Sequence, residues 1–411
     1  MRLRRLEKYT LTCALLVFCA RPAALPRAFA QTPTDARQVA AQALDHAIII
    51  DTHADTPQAM LEEGYDLASP ASPYMISIPK MRSGHLGAEF FSIWVDVTWP
   101  RQDLIHRALD LIDVTDQQVA RHSDVLGLAT TADDIERLHR EGKIAVLIGV
   151  EGGHQIEGDL HVLDTFYRLG VRYMTLTHTK NDDLGDSSGD KPAWKGLSPL
   201  GRKAIERMNQ LGMMVDISHV SDDTFYDALA VSKAPLIASH SSCRALCSAP
   251  RNMTDDMIRA LAKNRGVMDI NFYSGFLSQA YLEGYGKIEK QVENQLAEAR
   301  ARVAKQGKRL SYLEEVRIEQ QLTKDLPVPS YTAIADHIDH AVKVGGIDHV
   351  GLGSDFDGID SAPRGMEDVS KIPALVHELA RRGYREEDLE KILGGNVLRV
   401  MRQVEQVALQ M

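Results

Sequence analysis

The chain repeats one pattern: a stretch with helical spacing stops at a glycine, a short apolar run follows, and the run gives way to a polar residue. Five segments show it: EGKIAVLIGVE, LGVRYMTLTH, LGMMVDISH, RGVMDINFY and GGIDHVGLGSD. Glycine is a common helix stop because it takes the left-handed conformation without steric cost. Near-continuous Ile, Val, Met and Leu runs predict strands covered on both faces. AIIIDTHAD, AEFFSIWVDV and APLIASH complete a set of eight expected strands, beginning near residues 47, 89, 144, 171, 213, 235, 267 and 349. Helical patterns lie between them, including QDLIHRALDLIDVTDQQVARH, TADDIERLHRE and SPLGRKAIERMNQLG. In the last, Ser198 is expected to cap the helix, with Pro199 at its first position and Gly212 at its stop.

Eight strands alternating with helices predict an α/β fold, a (β/α)8 barrel forming one domain over residues 31–411. Counting strands leaves an open doubly wound sheet as a rival. The polar residues at the strand ends favour the barrel, because only there do all eight ends share one mouth. Residues 277 to about 326, rich in Glu, Lys, Arg, Gln and Ala, break the alternation and predict a helical insertion between the seventh and eighth strands. Glu315 and Glu319 near Arg317 suit a solvated helical pair; a subunit contact or a lid over the mouth are the alternatives.

The N-terminus changes the compartment. Arg2, Arg4, Arg5 and Lys8 precede the apolar run LTCALLVFCA, and Ala-Phe-Ala ends at Ala30. That order predicts a secretory signal peptide over residues 1–30, cut after Ala30, and a periplasmic or secreted protein. The run is about half of the roughly 20 apolar residues that a spanning helix needs, so no stable membrane anchor is expected. The thirty residues carry six basic side chains and one acidic, so cleavage takes the formal net charge from −10 to −15. Nucleic acid is thereby excluded as a natural partner. Cys243 and Cys247 are the cysteines that remain, expected to pack as small apolar residues.

The polar residues at the strand ends carry the chemistry. They are His53 and Asp55 from the first strand, Glu151 from the third, His178 from the fourth, His219 from the fifth, His240 from the sixth and Asp355 from the eighth. Imidazoles and carboxylates without a thiolate suit Zn²⁺ in an open catalytic site. Five ligands exceed the three that one catalytic zinc uses, so two Zn²⁺ ions sharing a carboxylate are expected, with Glu151 as the bridge. Asp216, three residues before His219, either faces the wall or orients a ligand, and Asp51 is expected to support the strand rather than bind metal. Arg251, in the loop after the sixth strand, is either a surface ion-pair partner or a fork for a substrate carboxylate. His85, His106, His122, His139 and His161 are assigned to the surface, and Asp357 and Gly358 to a rim turn.

These residues resemble a known family, the membrane (renal) dipeptidases, zinc metallopeptidases of the amidohydrolase-like barrels. The resemblance rests on DTHAD at 51–55, GVEGGH at 149–154, TLTH at 175–178, DISH at 216–219, SHSS at 239–242, PRN at 250–252 and GSDFDG at 353–358. It implies that His53 and Asp55 hold one zinc, His219 and His240 the other, and that Glu151 bridges both. It further implies that Asp355 carries the proton, that His178 contacts the substrate near the scissile carbonyl, and that Arg251 takes the substrate carboxylate. The implied reaction is hydrolysis of dipeptides by a metal-bridging hydroxide, in a protein that forms a homodimer. An N-acyl amino acid deacylase or a β-lactam hydrolase would use the same centre, and a non-catalytic zinc- or solute-binding protein is the rival outside enzymes. The chain departs from the mammalian members in its longer insertion and in carrying no signal for their lipid anchor.

Overall fold

The computed structural model describes residues 33–411. The expected signal peptide and its cleavage point lie outside the described residues. Among those residues, no helix is long and apolar enough to cross a membrane.

Among the described residues nine parallel strands form: β1 (Ile49–Ala54), β2 (Leu86–Trp94), β3 (Leu126–Leu128), β4 (Ile144–Glu151), β5 (Val171–Thr175), β6 (Met214–Asp216), β7 (Ile237–Ser241), β8 (Val267–Ile270) and β9 (Val350–Leu352). They are ordered β2-β1-β9-β8-β7-β6-β5-β4-β3, and β2 also pairs with β4 from Ala88↔Ala145 to Trp94↔Glu151. That extra pairing closes eight strands into a barrel and rules out the open sheet. All eight expected strands are present. β3 was not anticipated; this three-residue strand pairs with the first residues of β4.

Strand alternation divides the core in two. Along β4, Ile144, Val146, Ile148 and Val150 join the large cluster shared with the surrounding helices. Ala145 and Leu147 join a second cluster with Ile50, Ala88, Phe90, Tyr173, Met214, Ile237 and Val267. Residues from seven strands can meet in one cluster only along the barrel axis. Val397, Val400, Met401 and Val404 of the helix Asn396–Ala408 belong to the same cluster. The anticipated cap also forms: Ser198 Oγ accepts from the amides of Leu200 and Gly201 at 3.1 and 2.9 Å, and Gly212 takes a left-handed φ of 80°. Cys243 and Cys247 are free and buried.

The insertion contains the helices Gln279–Ala304 and Tyr312–Thr323. The reading as a solvated pair is corrected here. Glu62, on the helix Thr56–Glu63 that follows β1, places its carboxylate 3.4 Å from the amides of both Tyr312 and Leu313. Arg317 pairs with Glu63 at 2.6 Å, and Arg309 donates to Thr98 Oγ1 at 2.8 Å. Tyr312, Glu315, Val316 and Glu319 stand at i, i+3, i+4 and i+7, which is one helix face. That face looks into the barrel mouth. Because it mixes charged with apolar residues, its periodicity does not stand out in the sequence.

Glu89 on β2 is fully buried beside Asp51, its register partner on β1, and neither of its carboxylate oxygens has a hydrogen-bond partner among the described residues. Burial, reinforced by Asp51, raises its pKa well above the carboxylate range, so the folded protein holds it protonated. A raised pKa stabilises the fold below the unfolded value near 4.5, and that contribution is lost as pH rises toward the folded value. The fold is therefore expected to lose up to about 1.4 kcal/mol per pH unit through this one group above pH ~5. Denaturant titrations of wild type and Glu89→Gln between pH 5 and 9 check this, with the variant showing the shallower alkaline decline; parallel pH profiles would contradict it.

Candidate metal centre at the barrel mouth

The polar residues singled out in the sequence meet at one end of the barrel. His53 lies in β1 and Asp55 follows it, Glu151 ends β4, and His240 lies in β7. His178, His219 and Asp355 each stand three residues beyond β5, β6 and β9, so the first turn of a loop carries them instead of the strand itself. His219 and Asp355 reach inward with φ of 67° and 64°, a left-handed conformation that non-glycine residues rarely adopt and that concentrates at functional sites.

Glu151 is the centre of the group. Its Oε2 lies 3.3 Å from His53 Nε2 and accepts from Ser92 Oγ at 3.1 Å. Its Oε1 lies 2.9, 3.4 and 3.5 Å from Nε2 of His219, His240 and His178. His53 Nε2 is also 3.6 Å from Asp55 Oδ2, and it shares a third group of convergent donors with Asp55 and Asp355. Donors around a tetrahedral zinc with bonds of about 2.0–2.1 Å stand roughly 3.4 Å apart, which is the spacing of most of these pairs.

The hydrogen-bond network indicates which atoms carry protons. The Tyr173 hydroxyl donates to Thr52 O at 3.1 Å, so its contact with His53 Nδ1 at 2.8 Å requires that nitrogen to donate. His53 Nε2 then turns a lone pair toward two carboxylates. Ser239 Oγ likewise donates to Asp216 Oδ2 at 2.7 Å and accepts from His240 Nδ1 at 2.7 Å. His240 Nε2 is thereby left as a lone pair, 2.9 Å from His219 Nε2. His53 Nε2 and Asp55 Oδ1 are buried without a hydrogen-bond partner among the described residues. Lone pairs and carboxylates converging in a dry site repel one another unless a cation lies between them, so the residues fit a metal centre.

Charge in the bare protein tells the same story. Burial works to raise the Glu151 pKa, yet the surrounding imidazoles, His53 and His178 foremost, hold it well below the carboxylate range. Burial also opposes charging His53, but Tyr173, Glu151 and Asp55 draw a proton onto it and raise its pKa well above the usual value. A cation in the same place would supply that positive charge and free Nε2 for ligation. Burial holds His219 and His240 well below the usual imidazole value, which suits neutral ligands. Asp355 rises to about 8, first through burial and then through Asp55 and Glu151, while Asn271 Nδ2 donates to its Oδ2 at 2.9 Å.

Several supports were not foreseen in the sequence. Tyr173, Ser239, Asn271 and Ser92 hydrogen-bond to His53, His240, Asp355 and Glu151, and nothing in the sequence marked them out. Gly149 makes room for Tyr173, since a Cβ there would stand 2.0 Å from its ring; a Cβ on Gly358 would stand 2.1 Å from Asp55 Oδ2. Asp216 orients His240 through Ser239, and Asp51 ties β1 to the last loop by accepting from Ser354 N at 2.7 Å. The surface ion-pair reading of Arg251 is corrected. Its Nη1 donates to Ser241 Oγ and its Nη2 to His240 O, both at 2.9 Å; it has no ion pair among the described residues, and burial lowers its pKa to about 10. His85, His106 and His161 are exposed, whereas His122 and His139 are half-buried outside the mouth.

A cavity of about 470 Å³ opens above the group. Asp55, Glu151, His178, His219 and Asp355 line its floor, and Trp94, Tyr273 and the insertion face line its walls.

Against known proteins, the family described as membrane dipeptidase (peptidase family M19) matches residues 37–411. An uncharacterised dipeptidase of Schizosaccharomyces pombe is 37% identical over 389 residues, covering 89% of this chain and 82% of that protein. Dipeptidase tcpJ of Claviceps purpurea is 37% identical over 345 residues, covering 81% of this chain and 70% of that one. The crystal structure of the probable dipeptidase PvdM from Pseudomonas aeruginosa superposes with a TM-score of 0.78 at 27% identity, covering 92% of this chain and all of the other. With a closed barrel and convergent metal-binding groups at its mouth, the chain belongs to the membrane dipeptidase family, peptidase family M19, and is a metallodipeptidase.

Proposed function

We propose that the protein is an exported dipeptidase whose mouth binds two Zn²⁺ ions, with Glu151 shared between them. The observation that carries this reading is the Glu151 carboxylate, whose Oε2 lies nearest His53 while its Oε1 lies nearest His219 and His240. His53 and Asp55 supply the donors on the Oε2 side; His219 and His240 supply those on the Oε1 side. His178 lies near the second pair, but its imidazole is 15% exposed and lines the cavity, which supports substrate contact. Export rests on the first thirty residues.

When bound, the two ions supply Lewis acidity and bring water close to its ionised form at neutral pH. The remaining roles belong to the chain. Asp355 takes the proton of the attacking water on Oδ1, while Asn271 holds Oδ2, and passes it to the leaving amine. His178 Nε2 faces the oxygen that turns negative as the carbonyl is attacked. Arg251 binds the free carboxylate of the second residue: two of its N–H groups are held by His240 and Ser241, and its buried Nε has no partner among the described residues. A half-buried guanidinium without an ion-pair partner among the described residues fits a substrate carboxylate, and that preference selects dipeptides over long chains.

Protein reconstituted with zinc is expected to hold about two ions per chain and to hydrolyse dipeptides; one ion per chain, or no peptide hydrolysis by the fully loaded protein, overturns the reading. Asp355→Asn is expected to keep its metal and lose about 10²- to 10⁴-fold in kcat, and full turnover in the metallated variant would remove the proton role. Arg251→Ala should lower kcat/KM for a dipeptide by about 10- to 100-fold more than for the matching dipeptide amide. Equal losses on the two substrates would mean that Arg251 does not read the carboxylate.

A further inference from the structure

The mouth has two opposed sides. β2 and β7 stand four strands apart in the ring of eight. Trp94, at the end of β2, and Arg251, which is bonded to His240 and Ser241 of β7, therefore belong to opposite sides of the ring. With the carboxylate of the second residue held at Arg251, the first residue of a dipeptide extends toward β2 and the insertion.

That side is built unlike the rest of the mouth. Trp94 and Tyr312 pack with ring centroids 4.9 Å apart, and Trp94 in turn packs on His178 at 5.2 Å. Behind them Glu315, Val316 and Glu319 line the cavity, together with Asp96 and Asp360 from the loops after β2 and β9; Lys180 and Arg300 are the cations of the same lining. Arg300, the cation that acts on Glu319, is committed to Glu315 by two hydrogen bonds of 2.7 and 2.6 Å. Asp360 accepts from the Tyr281 hydroxyl at 2.9 Å. Glu319 has no hydrogen bond or ion pair for its carboxylate among the described residues. Burial first, then Asp360 and Glu315, raises its pKa to about 7 against the opposing pull of Arg300, as expected of an acid without a direct ion pair. The Tyr312 hydroxyl also lacks a hydrogen-bond partner among the described residues, and its pKa is raised well above the phenol range by burial and then by Asp55, Asp355 and Glu151.

We propose that the insertion builds a cation-accepting subsite for the side chain of the residue before the scissile bond, with Glu319 as its specificity-determining carboxylate and the Trp94–Tyr312 pair as its aromatic wall. The assignment rests on the dipeptidase reading above. A lysine-type side chain suits the wall in both its parts: the methylene stem lies along Val316 and the rings, and the ammonium meets aromatic faces and then Glu319. An apolar side chain of the same length leaves the carboxylate without an ion pair, so selection follows from that missing pair as much as from the new contact.

The test compares lysyl-alanine with norleucyl-alanine, which has a similar length but no ammonium. Zinc-loaded wild type is expected to favour the lysyl substrate by about tenfold or more in kcat/KM. Glu319→Gln should bring the ratio close to one, and Glu319→Asp should keep part of it. The ratio is the readout, so a general loss of folding does not imitate the result. A wild-type ratio near one, or a ratio unchanged in Glu319→Gln, overturns the subsite. If neither dipeptide is cleaved, the dipeptidase reading fails, and calorimetric titration with the two intact dipeptides still decides the subsite. Tighter binding of lysyl-alanine that Glu319→Gln abolishes supports it, and equal binding overturns it.

Discussion

The mouth of this barrel is governed by the Glu151 carboxylate, which the fold buries and which needs positive charge on both of its faces. An ionised carboxylate in a dry interior costs several kcal/mol unless it is paired. The chain surrounds it with imidazoles from four strands or the loops after them and brings Asp55 and Asp355 close as well. The surrounding polar network follows from that demand. Tyr173 and Ser239 commit the far nitrogens of His53 and His240 to donation, so each imidazole in its neutral form turns a lone pair inward. Metal affinity is thereby prepared by groups that never touch a metal.

The barrel and its donor set were largely legible in the sequence because both rest on short-range rules. Apolar runs ending in polar residues mark strands whose ends must point somewhere wet, and a barrel gives all of them one destination. What stayed hidden depends on contacts between distant segments. Tyr173 reads as one more apolar strand residue until β1 is brought beside it. Asn271 reads as a residue just past β8 until Asp355 arrives from 84 positions away. Arg251 could not be separated from a surface arginine without its burial. The insertion was misread for a related reason: Tyr312, Glu315, Val316 and Glu319 form a regular stripe, but half of it is acidic, and an acidic stripe looks solvated until another surface covers it.

The barrel and the insertion divide the work of the site along the chain. The strands and their first loop turns carry every donor at the floor of the cavity, whereas the far wall comes from a segment that interrupts the alternation just before β9. That segment is tied down by Glu62 and Glu63, which sit on the helix that follows His53 and Asp55. A rigid floor with a separately attached wall lets the choice of substrate vary without disturbing the reacting groups.

The pairing of Gly149 with Tyr173 has a consequence for how such a protein can change over generations. A side chain at 149 collides with the tyrosine ring, and a smaller residue at 173 releases the imidazole of His53. Whichever position mutates first, the intermediate protein has a His53 imidazole that is displaced or unsupported. Two residues that are unremarkable one at a time are thus bound into a single heritable unit, and a lineage can exchange them only by crossing a step at which the metal centre is impaired.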